Sequence, residues 1–335
     1  MVQKRYTSWG RKVLAQVLVI GICAGIVCGC KKDVVDPGGG GSGEGEWQGG
    51  PVTLTVATCN VLKPSGRRAE MSMDQSVVRK ALAQSIAETK ADIIGFNELD
   101  ETFISGAKYS LPTACSAIKD FAWKIEWPND IHESGPVSYS YANGFAYNKA
   151  KLTLEESGYV WLSKEENAWY VKPESAYLKA GSPERTCLWA RMTHKESKKE
   201  FWLFVTHLPT SSQGGAENMA RVLNNFAAHK ASGAVAILTG DMNSAPGSVA
   251  YRSLASYWKD GNASATWGTL SGSSTKYYYT VEEFSANRTD RRIDHIMTRG
   301  CKASGYHPVV VTYPYGGNAW CPSDHLPVAA TITIE

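Results

Sequence analysis

Ala234-Val-Ala-Ile-Leu-Thr-Gly-Asp-Met-Asn-Ser-Ala-Pro246 opens as a short apolar run and stops in polar residues. Five apolar residues bounded by turn formers predict a strand buried on both faces. Gly240 permits an unusual backbone angle, and Pro246 blocks continuation of the strand. Residues two apart in an extended segment point the same way, so Asp241 and Asn243 are expected to face one pocket at the strand's end. A carboxylate beside a carboxamide suits a hard divalent cation, or a water that must lose a proton. A strand closed by an Asx-type turn, with no function, accounts for the same residues.

The same pattern recurs along the chain. Val52–Thr58 reads as a strand ending at Asn60, and Ile93–Phe96 as a buried strand followed by Asn97 and Glu98. Phe121–Trp127 and Tyr139–Tyr147 read as strands, the second carrying Asn143 before Gly144. Arg185–Met192 and Phe201–His207 follow, the latter ending in a histidine. Asp294 and His295 sit in an apolar alternation, and Ser323, Asp324 and His325 precede a last strand ending at Ile334. Helices are expected over Asp74–Lys90, around Thr113–Phe121, over Ala216–Lys230 and over Ser248–Trp258. Lys151–Lys179 reads as a loop-rich rim, with aromatic residues suited to packing or to stacking on a ligand. Each polar strand end has an ordinary structural explanation. Eight of them (Asn60, Glu98, His207, Asp241, Asn243, Asp294, Asp324 and His325) point to one cleft, because strands of a sheet converge their ends.

The chain has 335 residues, of which 43% are hydrophobic and 20% charged, as in ordinary globular proteins. Lys4, Arg5, Arg11 and Lys12 precede an apolar stretch, Val13–Val27, and then Cys28-Gly29-Cys30. This is the layout of an exported segment, and the sequence up to Cys30 resembles a bacterial lipoprotein cleavage site. The expected organisation is a signal peptide over 1–29, a Gly-rich tether over 30–51 and a catalytic domain over 52–335. Cys30 would carry a lipid, placing the protein at the bacterial cell envelope, on the outer membrane or cell surface. Loss of residues 1–29, with four basic and no acidic side chains, takes the formal charge from +3 to −1. A near-neutral chain argues against a strong global pull on nucleic acid. Five cysteines then remain, and Cys301 with Cys321 is the expected pair.

Taken in order, Thr58-Cys59-Asn60-Val61, Phe96-Asn97-Glu98, Asn143-Gly144, Thr206-His207-Leu208, Thr239-Gly240-Asp241-Met242-Asn243, Arg292-Ile293-Asp294-His295 and Ser323-Asp324-His325-Leu326-Pro327 resemble the endonuclease/exonuclease/phosphatase superfamily, the deoxyribonuclease-I-like metal-dependent phosphoesterases. The resemblance spans Val52–Glu335. It implies a four-layer α/β sandwich, with two mainly antiparallel sheets face to face and helices outside. It implies a phosphoesterase using Mg²⁺ or Mn²⁺, with Glu98, Asn60 and Asp324 as metal ligands; a monomer is expected. Asp241 would orient or deprotonate the attacking water, and Asn243 and Asn143 would hold the phosphate. His325, oriented by Asp294, would sit against the phosphate, with His207 beside the leaving group. The substrate would be a nucleic acid, a phospholipid head group, or a phosphorylated sugar or inositol. Two residues depart from the family pattern: Asn97 stands where Gln is usual, and Cys59 where a larger residue is frequent. A non-catalytic lipoprotein using the same sandwich to bind a partner is the competing reading; it gives no reason for the intact acidic and histidine set.

Overall fold

A computed structural model describes residues 50–62, 74–99, 111, 115–126, 142–162, 169–170, 185–210, 214–261, 292–315 and 318–335. The expected signal segment and nearly all of the tether lie outside these residues. Trp47–Glu335 forms one compact unit. Among the described residues no helix is long and apolar enough to cross a membrane.

The strands in chain order are β1 (Val52–Asn60), β2 (Ile93–Leu99), β3 (Ala122–Glu126), β4 (Ala142–Tyr147), β5 (Leu152–Trp161), β6 (Thr186–His194), β7 (Glu200–His207), β8 (Ala236–Asp241), β9 (Lys259–Asp260), β10 (Asp294–Arg299), β11 (Lys302–Pro308), β12 (Tyr313–Tyr315), β13 (Asn318–Trp320) and β14 (Val328–Ile334). The helices are α1 (Gln75–Glu88), α2 (Ala216–Lys230) and α3 (Val249–Ala255). One six-stranded sheet runs β11-β14-β1-β2-β4-β3 and the other β5-β6-β7-β8-β10-β9, with a separate β12-β13 hairpin. Both large sheets are mixed: β1–β2 and β7–β8 are parallel and the other pairs antiparallel.

Side-chain alternation builds the layers. Val52, Leu54 and Val56 of β1 and Val328, Ala330 and Ile332 of β14 meet Leu203, Val205, Ile237 and Ile296 of the opposite sheet in one inter-sheet core. The other parity faces outward. Ala57, Cys59, Ile94 and Phe96 pack with Leu82 and Ile86 of α1, while Phe204, Leu238 and Met297 pack with Leu223 and Phe226 of α2 and Leu254 of α3. Helix, sheet, sheet and helix make four layers, as expected. Asp74 caps α1 through its bond from Ser76 N–H, and Ser248 caps α3 by accepting from Tyr251 N–H.

The inner parity also delivers the polar residues. Carried past the last apolar residue, it puts Asn60 after Val56 and Thr58, Asn97 after Ile93 and Gly95, His207 after Val205, and Asp241 after Ile237 and Thr239. Read backwards, it puts Asn143 before Phe145 and Asp294 before Ile296. Strand directions bring all six to one end of the sandwich.

Three expectations fail here. Leu152–Trp161, read as rim, is a ten-residue strand paired along its length with β6. It is an edge strand with a bulge between Leu154 and Glu156, which breaks its alternation. The helix around Thr113–Phe121 is, in its described part, a single 3₁₀ turn, Ser116–Ile118; β3 begins four residues later and leaves no room for more. Cys301 and Cys321 are not bonded to each other. Cys301 packs in the inter-sheet core, whereas Cys321 belongs to a separate cluster with Leu326.

Candidate active site

Asp241 lies at the centre of the cleft, 1% exposed. Three nitrogens face its Oδ2: Asn60 Nδ2 at 3.1 Å, His207 Nε2 at 3.3 Å and His325 Nε2 at 3.6 Å. Its Oδ1 accepts the Asn243 N–H at 2.9 Å. Burying a lone carboxylate costs several kcal/mol, so this oxygen stays charged only because these donors converge on it. Burial by itself raises the Asp241 pKa, but His325 and then His207 outweigh it and hold the carboxyl well below the usual range.

His325 is held from its other nitrogen. Nδ1 lies 2.9 Å from Asp294 Oδ2, and Nε2 lies 4.0 Å from Asp324 Oδ1. Burial lowers its pKa, but Asp294 and Asp241 more than offset that and raise it well above the usual imidazole value. Ser323 fixes the loop that carries it. Its Oγ donates to Asn60 O at 2.8 Å and accepts the His325 N–H at 3.1 Å.

The stability signs of the two groups are opposite. Asp241, depressed, stabilises the fold above its unfolded pKa of about 4 and loses that contribution as pH falls through its folded value. His325, raised, contributes fully below about pH 6.5 and loses that contribution as pH climbs through its folded value. The melting-temperature gap between the parent and His325→Gln is therefore expected to be widest in mild acid and to narrow on the alkaline side. A thermal-melt series across pH checks this; a gap that widens with pH contradicts it.

Glu98 and Asn243 both have left-handed backbones, with φ of 58° and 47°. Non-glycine residues occupy this region at a cost, and such strain gathers at functional sites. The Glu98 conformation coincides with a register shift between Phe96 and Leu99, which re-aims its carboxylate toward Asn60 Nδ2 at 3.2 Å. Asn243 does not extend β8 as expected. It closes an Asx turn on Asp241, and its Nδ2 donates to Leu208 O at 2.8 Å.

Asn97, the departure from the family pattern, ties the two sheets together. Its Nδ2 donates to Asn143 Oδ1 at 2.8 Å and to Thr206 O at 2.9 Å, and its Oδ1 accepts the Asp241 N–H at 2.8 Å. Asn143 donates on to Thr186 O at 3.0 Å. Asn143 is thus a link in a buried brace behind Asp241. Thr206 and Ser323 stand in the quoted Thr-His-Leu and Ser-Asp-His motifs, but nothing in the sequence signals their bonds in this scaffold or that of Thr186.

Among the described residues, Asp241, Asp294 and His325 are the three acidic or histidine side chains whose ligand atoms come within 4.8 Å of one another. His325 bridges the two carboxylates, with Nδ1 at 2.9 Å from Asp294 Oδ2 and Nε2 at 3.6 Å from Asp241 Oδ2. Glu98, Asn60 and Asp324 stand beside it. Asn60 turns its NH₂ to Glu98 and Asp241, while its Oδ1 accepts the Leu62 N–H at 3.0 Å. On the edge of the second sheet, Gly158, Tyr159, Trp161 and a 67% exposed Tyr170 line a cavity of about 340 Å³.

Comparison with known proteins places this arrangement. No curated protein matches the chain. Among solved structures, an endonuclease/exonuclease/phosphatase family protein from Bacteroides thetaiotaomicron is similar at 20% identity and a TM-score of 0.68, covering 85% of this chain and 96% of its own. A mannosyl-6-phosphatase from Bacteroides thetaiotaomicron VPI-5482 is similar at 21% identity and 0.66, covering 83% and 99%. D. rerio TDP2 in complex with single-strand DNA product is similar at 15% and 0.54, covering 84% and 98%. At these identities the likeness establishes the fold. The Endonuclease/Exonuclease/phosphatase family model matches residues 57–325. That match starts in the strand that delivers Asn60 and ends on His325, taking in every polar residue of the cleft, and the chain belongs to the endonuclease/exonuclease/phosphatase family, whose members hydrolyse phosphoester bonds.

Proposed function

We propose that the protein is a Mg²⁺- or Mn²⁺-dependent phosphoesterase that cleaves its substrate by in-line attack of water. The observation that carries this is the convergence of Asn60 Nδ2, His207 Nε2 and His325 Nε2 on one carboxylate oxygen. Donors arranged to neutralise a buried carboxylate are equally suited to the oxygens of a phosphate ester, whose charge grows in the transition state. When a phosphate oxygen takes the His325 Nε2–H and the Asn60 N–H, Asp241 loses its compensating partners and becomes more basic. It then accepts a proton from the water attacking phosphorus. In its imidazolium form His207 gives its Nε2 proton to the leaving oxygen as the P–O bond breaks, and the proton taken up by Asp241, 3.3 Å away, restores it. Asp294 holds the His325 ring through Nδ1, so that Nε2–H is the end that faces the cleft.

A divalent cation fits the oxygen donors of this corner. Glu98 and Asp324 would supply carboxylates; Asn60, expected as a third ligand, keeps its NH₂ toward Glu98 and Asp241 and its Oδ1 on the Leu62 N–H, so it steadies Glu98 beside the cation. When bound, the cation supplies positive charge that offsets the repulsion between ester and nucleophile. The re-aimed Glu98 backbone supports its role as principal ligand. Mg²⁺ is accordingly expected to raise the melting temperature of the parent and not of Glu98→Ala. At a hundredfold excess over Kd the gain is about 2.7 kcal/mol. An undiminished rise in Glu98→Ala would remove Glu98 from the metal site.

The substrate class is decided by ester hydrolysis with and without Mg²⁺ on plasmid DNA, RNA, sphingomyelin, inositol and sugar phosphates, and a bis-aryl phosphate. The mannosyl-6-phosphatase neighbour and the near-neutral mature charge favour a small phosphorylated sugar over a long nucleic acid. Silence across the panel from a folded protein would favour a binding role. The apolar stretch before Cys30 and the Gly-rich segment after it support a lipid-anchored, exported protein acting at the cell envelope.

A further inference from the structure

Tyr306 is the one buried side chain of β11, an edge strand of otherwise exposed or half-buried residues. A register shift between Ser304 and His307, with Gly305 at φ 61°, turns it inward. Its hydroxyl crosses to the opposite sheet and donates to the backbone oxygen of Asp294 at 2.6 Å. Met242 N–H already bonds Ile293 O at 2.8 Å, so the alternation of an antiparallel ladder turns the Asp294 carbonyl away from β8. That is the side from which Tyr306 reaches it. Burial raises the Tyr306 phenol, keeping it a donor. The ring lies 5.6 Å from the guanidinium carbon of Arg292, which is locked by bonds of 2.9 and 2.6 Å to Asp260.

Tyr306 and His325 are joined through one sheet. β11 pairs with β14, His307 opposite Ala329 and Pro308 opposite Val328, and Val309 N–H bonds Pro327 O at 2.7 Å, two residues after His325. Asp294 is therefore gripped twice from the same sheet, at its backbone by Tyr306 and at its carboxylate by His325 Nδ1. Asp241 has the matching tie from Asn97. We propose that Tyr306 is a positioning residue, whose hydroxyl sets the distance and angle at which the Asp294 carboxylate meets His325. Its effect on turnover rests on the phosphoesterase reading above; its effect on the His325–Asp294 contact does not.

Two measurements on the full chain test this. In ¹⁵N-histidine-labelled protein, the His325 Nδ1–H proton, identified by its loss in His325→Gln, is expected far downfield from its bond to a carboxylate. Tyr306→Phe keeps the ring over Arg292 and removes only the hydroxyl. It is expected to shift or broaden that resonance and to lower kcat about tenfold, with KM within about twofold of the parent. Tyr251→Phe removes a hydroxyl bonded to Asp260 Oδ2 in the same buried cluster but not to Asp294. It is expected to lose comparable stability and to leave both readouts unchanged. A Tyr306→Phe resonance and kcat equal to the parent's overturn the proposal. So does a Tyr251→Phe variant that changes both readouts as much as Tyr306→Phe does. If the chain hydrolyses none of the panel esters, the phosphoesterase reading fails, and the resonance alone decides the role of Tyr306.

Discussion

Asp241→Asn is expected to lower metal-dependent turnover by about 10³-fold or more, the range for loss of a general base together with its electrostatic partner. The substitution is isosteric, so Asn243, Asn60 and both histidines keep their places. What changes is charge and polarity. A carboxylate with three nitrogens on Oδ2 and the Asn243 N–H on Oδ1 accepts on both oxygens. An amide accepts on one and donates on the other, so in either orientation one donor faces another. An unsatisfied buried donor costs about 1–3 kcal/mol, which the inter-sheet core can absorb. His325 loses one of the two carboxylates that raise its pKa, and the water loses its proton acceptor. Comparing kcat/KM with and without Mg²⁺, alongside a melt showing the variant folded, checks this. A folded Asp241→Asn retaining a tenth of parental turnover would exclude Asp241 as the base.

Apolar periodicity made the interior strands legible. β7 and β8 are runs of large hydrophobics that stop at a polar residue, and α2 shows Met219, Val222, Leu223 and Phe226 on one face. The polar ends of these strands carry the site, so most of the cleft was visible once those ends were taken together. The edges were not legible. β5 and β11 each have one face half in water and a bulge that shifts the alternation by one, so neither shows a period of two over its length. Tyr306 is a single aromatic among polar residues, and nothing in its neighbourhood of sequence signals that a bulge will bury it. Asn97, which looked like a shortened substitute, proved to be the brace behind Asp241, because its three partners come from β4, β7 and β8. Asn243 leaves the strand through a left-handed turn that sends its amide to Leu208 O, a path strand alternation does not describe.

The brace makes Gly240 the most constrained position in the motif. Gly240 has φ of 146°, and its Cα faces the backbone of Thr206 on β7 so closely that a Cβ would overlap the Thr206 carbonyl oxygen and lie 2.9 Å from its carbon. That same oxygen accepts from Asn97 Nδ2. Gly240→Ala must therefore push β7 from β8 at the register that sets His207 opposite Asp241, and pull Thr206 O off Asn97. The neighbours are backbone atoms of central strands, which cannot rotate aside as a flexible side chain would. The expected loss is about 4 kcal/mol or more, the range reserved for buried backbone clashes and broken networks. Gly247→Ala separates this from glycine chemistry in general. Gly247 also has a left-handed φ, 87°, but a Cβ there meets nothing within 4 Å, so only the backbone term of about 1–2 kcal/mol applies. Denaturant midpoints of the two variants against the parent measure the difference. Equal losses would mean that conformational strain alone fixes Gly240. A much larger loss at Gly240 would mean that the glycine is there because β7 and β8 must come this close to bring His207, Asn97 and Asp241 together.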